Sequence, residues 1–366
     1  MSRIEWEKIK ISDADYETAG VLDVNNDGVL DIVSGGFWYE GPDWNQHKVC
    51  DVKKEHEYYN DFATIPMDVN GNGFMDVVSC NWFDREIFWR ENPGDGGGDW
   101  KTHHVDECGN SETAIAWDVD GDGELEVVPN AVNGPLAYYK LAKDSDGRGK
   151  GEFEKIVISE VNQGHGLGFG DVTGNGKGDF VVANGWWEAP EKEDGTWTFH
   201  DDFELGSASV PILIEDINGD GTAELVVGNA HGYGLDYYTQ AIDEDGAREW
   251  TKHPIDPYFS QYHCMIWADI DGDGQNEIVT GSRYRAHNGN DRGETDEVGL
   301  YVFKWHGEGF SKQVVDHGRV PDASGAGLYF DVADIDGDGR QDIIAPGKEG
   351  LYLFKNKGWA KGEAPE

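Results

Sequence analysis

The chain has 366 residues and a formal net charge of −43, which excludes nucleic acid and anionic membrane surfaces as partners, because phosphate binding needs clustered Lys and Arg. Aromatic residues make up 12% of the chain and glycine contributes 51 residues, which is typical of short strands joined by tight turns. The four cysteines are scattered without a CxxC pair, so the sequence predicts neither a disulfide framework nor a zinc site of that type.

Hydropathy indicates no membrane-spanning segment in the chain. The start MSRIEWEKIK lacks the apolar core of a signal peptide. We therefore expect a cytoplasmic protein, unless a leader was removed.

An acidic, glycine-containing segment recurs along the whole chain and overrides the two or three domains that the length alone would predict. The seven copies, called loops one to seven in chain order, are DVNNDGVLD from Asp23, DVNGNGFMD from Asp68, DVDGDGELE from Asp118, DVTGNGKGD from Asp171, DINGDGTAE from Asp216, DIDGDGQNE from Asp269 and DIDGDGRQD from Asp334. Each copy is followed by a β-branched run and then by an aromatic run, and both are strand signals. A fourth strand follows six of the seven copies, beginning at Trp44, Trp100, Phe153, Trp197, Trp250 and Phe310.

The missing outer strand lies at the other end of the chain, where Trp6 begins the segment WEKIKI. The sequence therefore predicts an all-β fold, a seven-bladed β-propeller of four-stranded blades with a calcium-type loop in each blade. A single domain, 1–366, is expected, in which residues 4–11 form the strand that completes the last blade. This arrangement hides the sheet edges that a linear array would expose.

The repeated motif DxDxDGxxD has the donor pattern of a calcium loop. Oxygens at positions one, three, five, seven and nine suit a hard cation, and glycine at position six permits the sharp turn. Strands flank the motif, which excludes an EF-hand. We expect structural Ca²⁺ in several loops, weakest in loops two and four, which have two carboxylates each. An Asx-turn scaffold that needs no metal is the alternative. The predicted ligands are Asp23, Asn25, Asp27, Asp31, Asp68, Asn70, Asn72, Asp76, Asp118, Asp120, Asp122, Glu126, Asp171, Thr173, Asn175, Asp179, Asp216, Asn218, Asp220, Glu224, Asp269, Asp271, Asp273, Glu277, Asp334, Asp336, Asp338 and Asp342.

These repeats resemble the FG-GAP or VCBS type of calcium-loop propeller, which is found in integrin heads and in many bacterial proteins. The segments HGLGFGDVTGNG, NGWWEAP and GSRYRAHNGNDRGE resemble bacterial VCBS proteins of carbohydrate metabolism. Similar repeats occur in the propeller of aldos-2-ulose dehydratase and in propeller-type polysaccharide lyases. The resemblance implies elimination chemistry, although the repeat itself is specific for the fold rather than for a function.

The candidate site lies at the face opposite the loops, where the inner strands begin. Residues six positions before each loop share one register and point the same way, because strand side chains alternate with period two. Two of these residues are His and two are Glu. The full set is Glu17, Phe62, Glu112, His165, Val210, His263 and Leu328.

The ends of the second strands supply the remaining candidates at this face. The predicted catalytic residues are His165, His263, His231, Tyr233, Arg283, Tyr284, His287 and Glu112. The predicted substrate-binding residues are Glu17, Tyr39, Trp82, Arg85, Trp186, Trp187 and Arg285. In a β-elimination, His165 or His263 would act as base, Tyr233 or Tyr284 as acid, and Arg283 as the clamp for the enolate. A divalent transition metal held by His165, His263 and Glu112 is a rival use of the same side chains.

Two functions remain open from the sequence. The first is a carbohydrate-active lyase or dehydratase, a carbon–oxygen lyase that performs β-elimination on a keto-sugar or a uronic-acid-containing saccharide. The second is a non-enzymatic calcium propeller that binds carbohydrate or protein through Trp82, Trp186 and Trp187. A glycoside hydrolase is a weaker third candidate, because it requires a suitable separation of Glu17 and Glu112. The expected partner is a saccharide or a sugar-derived small molecule.

Overall fold

Antiparallel strands form the whole regular structure of the computed structural model, which describes residues 3–94, 98–192, 195–244 and 247–360. These residues contain no helix, and hence no helix that could span a membrane. The strands are grouped into seven four-stranded sheets, the blades, and one small hairpin. The predicted fold class is thereby confirmed.

Blades are numbered by the loop that they contain, and strands are numbered along the chain. The N-terminal strand is β1 (Ile4–Ser12). Blade one contains β2 (Gly20–Leu22), β3 (Asp31–Ser34), β4 (Phe37–Glu40) and β5 (Asn45–Lys48). The hairpin is β6 (Lys54–Glu55) and β7 (Tyr58–Tyr59). Blade two contains β8 (Ile65–Met67), β9 (Asp76–Cys80), β10 (Glu86–Glu91) and β11 (Lys101–Glu107). Blade three contains β12 (Ser111–Trp117), β13 (Glu126–Ala131), β14 (Pro135–Lys143) and β15 (Gly149–Asn162).

The second half of the chain continues the pattern. Blade four contains β16 (Leu167–Gly170), β17 (Asp179–Val182), β18 (Gly185–Glu188) and β19 (Thr198–His200). Blade five contains β20 (Leu213–Glu215), β21 (Glu224–Gly228), β22 (Tyr233–Ile242) and β23 (Arg248–Ser260). Blade six contains β24 (Tyr262–Ala268), β25 (Glu277–Ser282), β26 (Val298–Trp305) and β27 (Phe310–Gly318). Blade seven contains β28 (Asp331–Ala333), β29 (Asp342–Gly347) and β30 (Gly350–Trp359).

Strand β1 is the outer strand of blade seven, and the ring closes as the sequence predicts. This blade has the order β1–β30–β29–β28, with β1 antiparallel to β30. Ile4 is buried, and Trp6 packs against the same apolar cluster between blades six and seven. The strand continues to Ser12, one residue beyond the predicted end.

The apolar core lies between neighbouring blades, because each sheet can bury a face only against the next sheet. Val24 of loop one, for example, packs with Val77 of β9 and Trp100 before β11. The inner ends of adjacent blades are joined by polar contacts, such as Thr113 Oγ1 donating to the Phe62 carbonyl at 2.7 Å. The inner strands are therefore held in a common register, and this places their first residues together at one face.

Candidate functional site

Three of the predicted inner-strand residues meet at the face opposite the loops. The Glu112 carboxylate on β12 lies 3.4 Å from Nε2 of His263 on β24 and 3.8 Å from Nε2 of His165, which precedes β16. The His165 and His263 rings are 5.1 Å apart between centroids. His263 is fully buried, and Glu112 is 5% exposed. The shared register thus brings residues of blades three, four and six into contact.

His231 adds a third imidazole to this cluster. It lies in the turn between β21 and β22, and its ring centroid is 4.5 Å from that of His165. Candidate ligand nitrogens of His165, His231 and His263 all lie within 4.8 Å of one another. Within the described part of the chain, the Nε2 atoms of all three are buried and have no hydrogen-bond partner.

Contacts of the opposite ring nitrogens orient two of these imidazoles. His165 Nδ1 donates to the Ala208 carbonyl at 2.8 Å, and His231 Nδ1 lies 2.8 Å from the Asp291 carboxylate. A ring that donates from Nδ1 presents a lone pair at Nε2 when neutral. Partners of this kind usually hold metal-binding histidines in place. The three imidazoles are therefore placed so that they could hold a metal ion, and the Glu112 carboxylate lies next to two of them.

The site favours neutral imidazoles beside an ionised carboxylate. Burial holds the pKa of His263 well below its usual value, and burial with the neighbouring His165 and His287 lowers the pKa of His231 to about 4. Burial alone would raise the pKa of Glu112, but interactions with His165 and His263 hold this pKa well below its usual value.

Arg283 lies next to this cluster and is already paired. Its Nε donates to Glu17 at 2.8 Å, and both side chains are buried. Its Nη1 is buried without a hydrogen-bond partner among the described residues. Arg285 forms two hydrogen bonds with Glu57, at 2.8 and 2.6 Å. Arg283, the predicted enolate clamp, and Arg285, a predicted substrate-binding residue, are therefore each paired with a glutamate.

Two open cavities share Tyr258, and one of them reaches His231 of the imidazole cluster. One has a volume of about 560 Å³ and is lined by His231, Tyr233, Tyr258 and Arg292, among others. The second, of about 700 Å³, is lined by Tyr258 and the predicted acid Tyr284. The Tyr233 hydroxyl donates to Asp296 at 2.5 Å, and the Arg292 guanidinium lies 5.4 Å from the Tyr233 ring centroid.

The structure contradicts the placement of Tyr39, Trp186 and Trp187 at this face. Two-residue turns link β3 to β4 and β17 to β18, so these aromatics lie on third strands rather than at second-strand ends. Tyr39 and Trp186 are each 1% exposed. Trp187 packs on Phe199, with ring centroids 4.9 Å apart. A substrate-binding role for Tyr39 and Trp186 is wrong, because their rings belong to the core.

Trp82 and Arg85 lie in the turn between β9 and β10. This turn is on the predicted face, but the recorded contacts of the two residues are with Asn110 and Cys108 rather than with the imidazole cluster. The Trp82 carbonyl accepts from Asn110 Nδ2 at 2.7 Å, and the Arg85 carbonyl accepts from the Cys108 amide at 2.9 Å. The Arg85 side chain is exposed. Their recorded contacts stabilise the turn and do not involve the imidazole cluster.

Sequence reasoning missed two groups at the site. Asp291 accepts from His287 at 2.6 Å and lies 2.8 Å from His231 Nδ1, and the spacing of four residues from His287 was the available signal. Lys348 and Glu349 occupy the second-strand end of blade seven, which the register argument did not include. Lys348 Nζ lies 3.8 Å from Glu17 and 4.3 Å from the Tyr58 ring centroid.

The seven acidic loops share one backbone geometry. The glycine at position six has a positive φ of 85–91° in every loop, a conformation that favours glycine. Its amide donates to the position-one carboxylate, as Gly28 does to Asp23 at 2.8 Å. The position-nine carboxylate accepts from the amide of position two, as Asp31 does from Val24 at 2.9 Å. The loops are thus preorganised by the hydrogen bonds of an Asx-turn scaffold, while further carboxylate lone pairs remain for a cation.

Comparison with known proteins supports the repeat type. Two segments, residues 68–128 and 216–280, match the model of the FG-GAP-like repeat. The chain contains FG-GAP-like repeats. No sequence among the curated proteins matches the chain.

Solved structures similar to this chain match it along nearly its whole length. The crystal structure of BBS1N in complex with ARL6DN, soaked with mercury, is 11% identical with a TM-score of 0.56, over 100% of both chains. The same complex soaked with lead is 12% identical with a TM-score of 0.51, over 97% of this chain and 98% of that chain. The rhamnogalacturonan lyase YesW is 14% identical with a TM-score of 0.48, over 96% of this chain and 72% of that chain. At these identities the likeness concerns the fold.

Proposed function

We propose that the protein is a metal-dependent carbohydrate-active lyase or dehydratase that performs β-elimination on a keto-sugar or a uronic-acid-containing saccharide. The observation that carries this proposal is the convergence of three buried, unpartnered imidazole nitrogens, of His165, His231 and His263, beside the Glu112 carboxylate. Unpartnered buried polar atoms are costly, and a bound cation would satisfy all three.

The donor set determines the class of metal. Neutral imidazoles with one carboxylate suit a divalent transition metal such as zinc, iron or manganese rather than calcium, which takes oxygen ligands. Such an ion would supply Lewis-acid stabilisation to the oxygen of the carbonyl or carboxylate whose α-proton is removed.

The chain's own residues supply the proton transfers. We assign His287, whose Nδ1 donates to Asp291 at 2.6 Å and whose ring stacks on that of His231, as the base that removes the α-proton with its other nitrogen. The Tyr233 hydroxyl at the cavity wall would turn from Asp296 to the leaving oxygen and donate its proton as the bond from the β-carbon to that oxygen breaks. A double bond forms between the α- and β-carbons, and solvent in the open cavity returns the proton from His287 to Tyr233.

Buried Arg283 contributes positive charge next to the site, with its Nη1 unpartnered and Glu17 fixing its position. A fixed guanidinium of this kind stabilises negative charge that develops on an enolate. Arg292, whose guanidinium lies 5.4 Å from the Tyr233 ring centroid, lines the cavity and suits an anionic substituent such as a uronate.

The test combines metal analysis with an elimination assay. Purified protein should contain about one transition-metal ion per chain by elemental analysis. With keto-sugars or uronate polymers, it should produce the ultraviolet absorbance of an unsaturated product. His165→Ala and His263→Ala should remove the metal and lower the rate at least about 100-fold. His306→Ala, which alters an exposed turn, is the matched control and should change neither result.

Retention of the metal in both alanine variants would contradict the assigned ligands. Full elimination activity in metal-free protein would contradict the metal-dependent mechanism.

A carbohydrate-binding propeller is the second candidate, because Tyr258 at the same cavity is 81% exposed. Sugar rings stack on exposed aromatic faces. Saccharide binding without turnover, lost in Tyr258→Ala but retained in His263→Ala, would favour binding over catalysis.

We also propose that calcium occupies acidic loops on the opposite face and has a structural role. Its support is the common turn geometry and the oxygen-only donor set of the loops. Loops spread around a ring cannot converge on one substrate, so they stabilise blades rather than perform catalysis.

A further inference from the structure

One residue of each third strand lies across from the last ligand position of the adjacent loop. The residue that follows each motif pairs with a third-strand residue, as Ile32 pairs with Tyr39 and Ile278 with Phe303. The next residue along the third strand is therefore opposite position nine, and we call it the facing residue. The seven facing residues, in chain order, are Glu40, Glu91, Lys140, Glu188, Thr239, Lys304 and Lys355.

The more carboxylates a loop contains at its ligand positions, the more positive is its facing residue. Loops three, six and seven have four carboxylates at positions one, three, five and nine, and each faces a lysine. Loops two and four have two carboxylates, and each faces a glutamate. Loop five has three and faces a threonine. Counted over positions one, three, five and nine and the facing residue, the formal charge is therefore −3 in six of the seven loops, and loop one, with three carboxylates facing Glu40, is the exception at −4. This sum leaves out position seven, which is charged in three loops, as Glu124, Lys177 and Arg340.

The lysines of blades three and six lie within their loops. Lys140 Nζ binds Asp120, lies 2.6 Å from Asp122 and is 3.7 Å from Glu126. Lys304 Nζ makes the same set of contacts with position three, with position five at 2.6 Å and with position nine at 3.1 Å. Each ammonium is thus surrounded by three of the carboxylates predicted to bind calcium.

Loop seven has two cations of its own. Lys355 Nζ lies 3.2 Å from Asp336 at position three, and the Arg340 guanidinium binds Asp338 at position five. A divalent ion in this loop would have to displace both contacts or share their carboxylates.

Loops three and six each contain a buried carboxylate oxygen that requires a positive charge nearby. Glu126 is fully buried and Glu277 is 1% exposed, and the Oε1 atom of each has no hydrogen-bond partner among the described residues. The lysine ammonium lies 3.7 and 3.1 Å from these two atoms, respectively. An uncompensated buried carboxylate oxygen is costly, so the lysine supplies a charge that an ion would otherwise supply.

The facing glutamates are oriented towards their loops by histidines of the outer strands. Nε2 of His47, His103 and His200 lies 2.9, 2.7 and 2.8 Å from one oxygen of Glu40, Glu91 and Glu188. The other oxygen accepts from the loop in blades one and two, from Asn25 Nδ2 at 3.5 Å and from Asn70 Nδ2 at 3.2 Å.

The same outer-strand position differs in the blades that face lysine. Each of these histidines stacks on a third-strand tryptophan with centroids 4.1–4.2 Å apart, and in blade five His253 stacks on Tyr237 and contacts Thr239. In blades three, six and seven the position is occupied by Ile156, Gln313 and Ile9. A histidine is therefore present only where a glutamate or threonine needs to be held.

We propose that Lys140, Lys304 and Lys355 are built-in cations that replace calcium in loops three, six and seven, so that calcium binds only the loops that face Glu40, Glu91, Glu188 and Thr239. This inference rests on the proposal that the loops bind calcium. It reverses the ranking from loop sequence alone, because the facing carboxylate makes loops two and four complete sites.

The test is the number of calcium ions bound by the full chain. Protein freed of divalent ions with a chelator is titrated with CaCl₂ by isothermal calorimetry, with equilibrium dialysis as a second measure. Wild type should bind four ions. Lys140→Gln and Lys304→Gln should each bind one more, and the double variant should bind six. Glu91→Gln should weaken one site by about tenfold or more. Lys252→Gln, which removes an exposed lysine paired with Asp236 outside the loops, should leave the number unchanged.

Seven ions in wild type, or no gain in the lysine variants, would overturn the inference and leave the calcium proposal intact. No calcium in wild type or in any variant would instead overturn the calcium proposal itself. If a lysine variant folds only in the presence of calcium, that dependence supports the inference, because the ion then replaces the missing ammonium.

Discussion

At the scale of single residues, the site is built from buried charges that require one another. Arg283 and Glu17 are 2% and 5% exposed, and their ion pair joins blades six and one. Removing one member of such a pair leaves an uncompensated charge, which typically costs about 3–5 kcal/mol. The pair therefore fixes the Arg283 guanidinium next to Glu112 and His263.

Glu349 permits a test of burial at the same face. Burial raises its pKa to about 7, against the hydrogen bond from the Gly325 amide. Because the pKa of Glu349 is higher in the folded than in the unfolded protein, its protonated carboxyl contributes to the free energy of unfolding. This contribution is complete below about pH 4 and is lost as the pH rises to about 7. Glu349→Gln should therefore stabilise the protein at pH 8, by up to about 3 kcal/mol, and make little difference at pH 4.

Urea denaturation across this pH range measures the difference. Glu308→Gln, at an exposed turn, is the control and should follow wild type at every pH. Equal stabilities of wild type and Glu349→Gln at pH 8 would show that the carboxyl is not desolvated in solution.

At the scale of elements, strand β1 decides whether the ring is closed. Deletion of residues 1–12 should expose the hydrogen-bonding edge of β30 and the cluster around Ile4 and Trp6, so that the protein aggregates and melts at a lower temperature. A synthetic peptide of residues 3–12 added in trans should restore solubility by strand addition. Light scattering and differential scanning fluorimetry measure both effects.

A scrambled peptide of the same composition should not rescue the truncated protein. A soluble, cooperatively melting truncation without peptide would show that β1 is dispensable for closure.

At the scale of the whole molecule, the charge of −43 opposes the compact state, and cations bound in the loops offset part of this repulsion. Chelation should therefore lower the melting temperature, since an ion present at 100 times its Kd contributes about 2.7 kcal/mol per site. The decrease should be larger at about 0.01 M salt, where the Debye length is ~30 Å, than at about 1 M, where it is ~3 Å.

Scanning calorimetry with and without chelator at the two salt concentrations checks this prediction. Magnesium added in place of calcium is the control, because it takes a smaller octahedral shell and should restore less stability. A melting temperature that is insensitive to chelator would indicate that the Asx-turn hydrogen bonds alone hold the loops.

Amino-acid order alone predicts the repeat, the number of blades, the closure by β1 and the common register of Glu112, His165 and His263. Each of these features depends on local order: a nine-residue motif with glycine at position six, and side chains that alternate along a strand. Such patterns can be recognised in the sequence without knowing which residues are in contact in the folded protein.

Only the tertiary structure decided what the site residues contact. Asp291 meets His231, and Arg283 meets Glu17, across blades whose turns differ in length, so spacing along the chain could not predict these pairs. The turns after β3 and β17 also place Tyr39 and Trp186 in the core, although both followed a second-strand pattern. The physical reason is that ring closure brings together turns from distant parts of the chain. Charged side chains in these turns pair with oppositely charged groups of other blades, and the sequence does not show which groups these are.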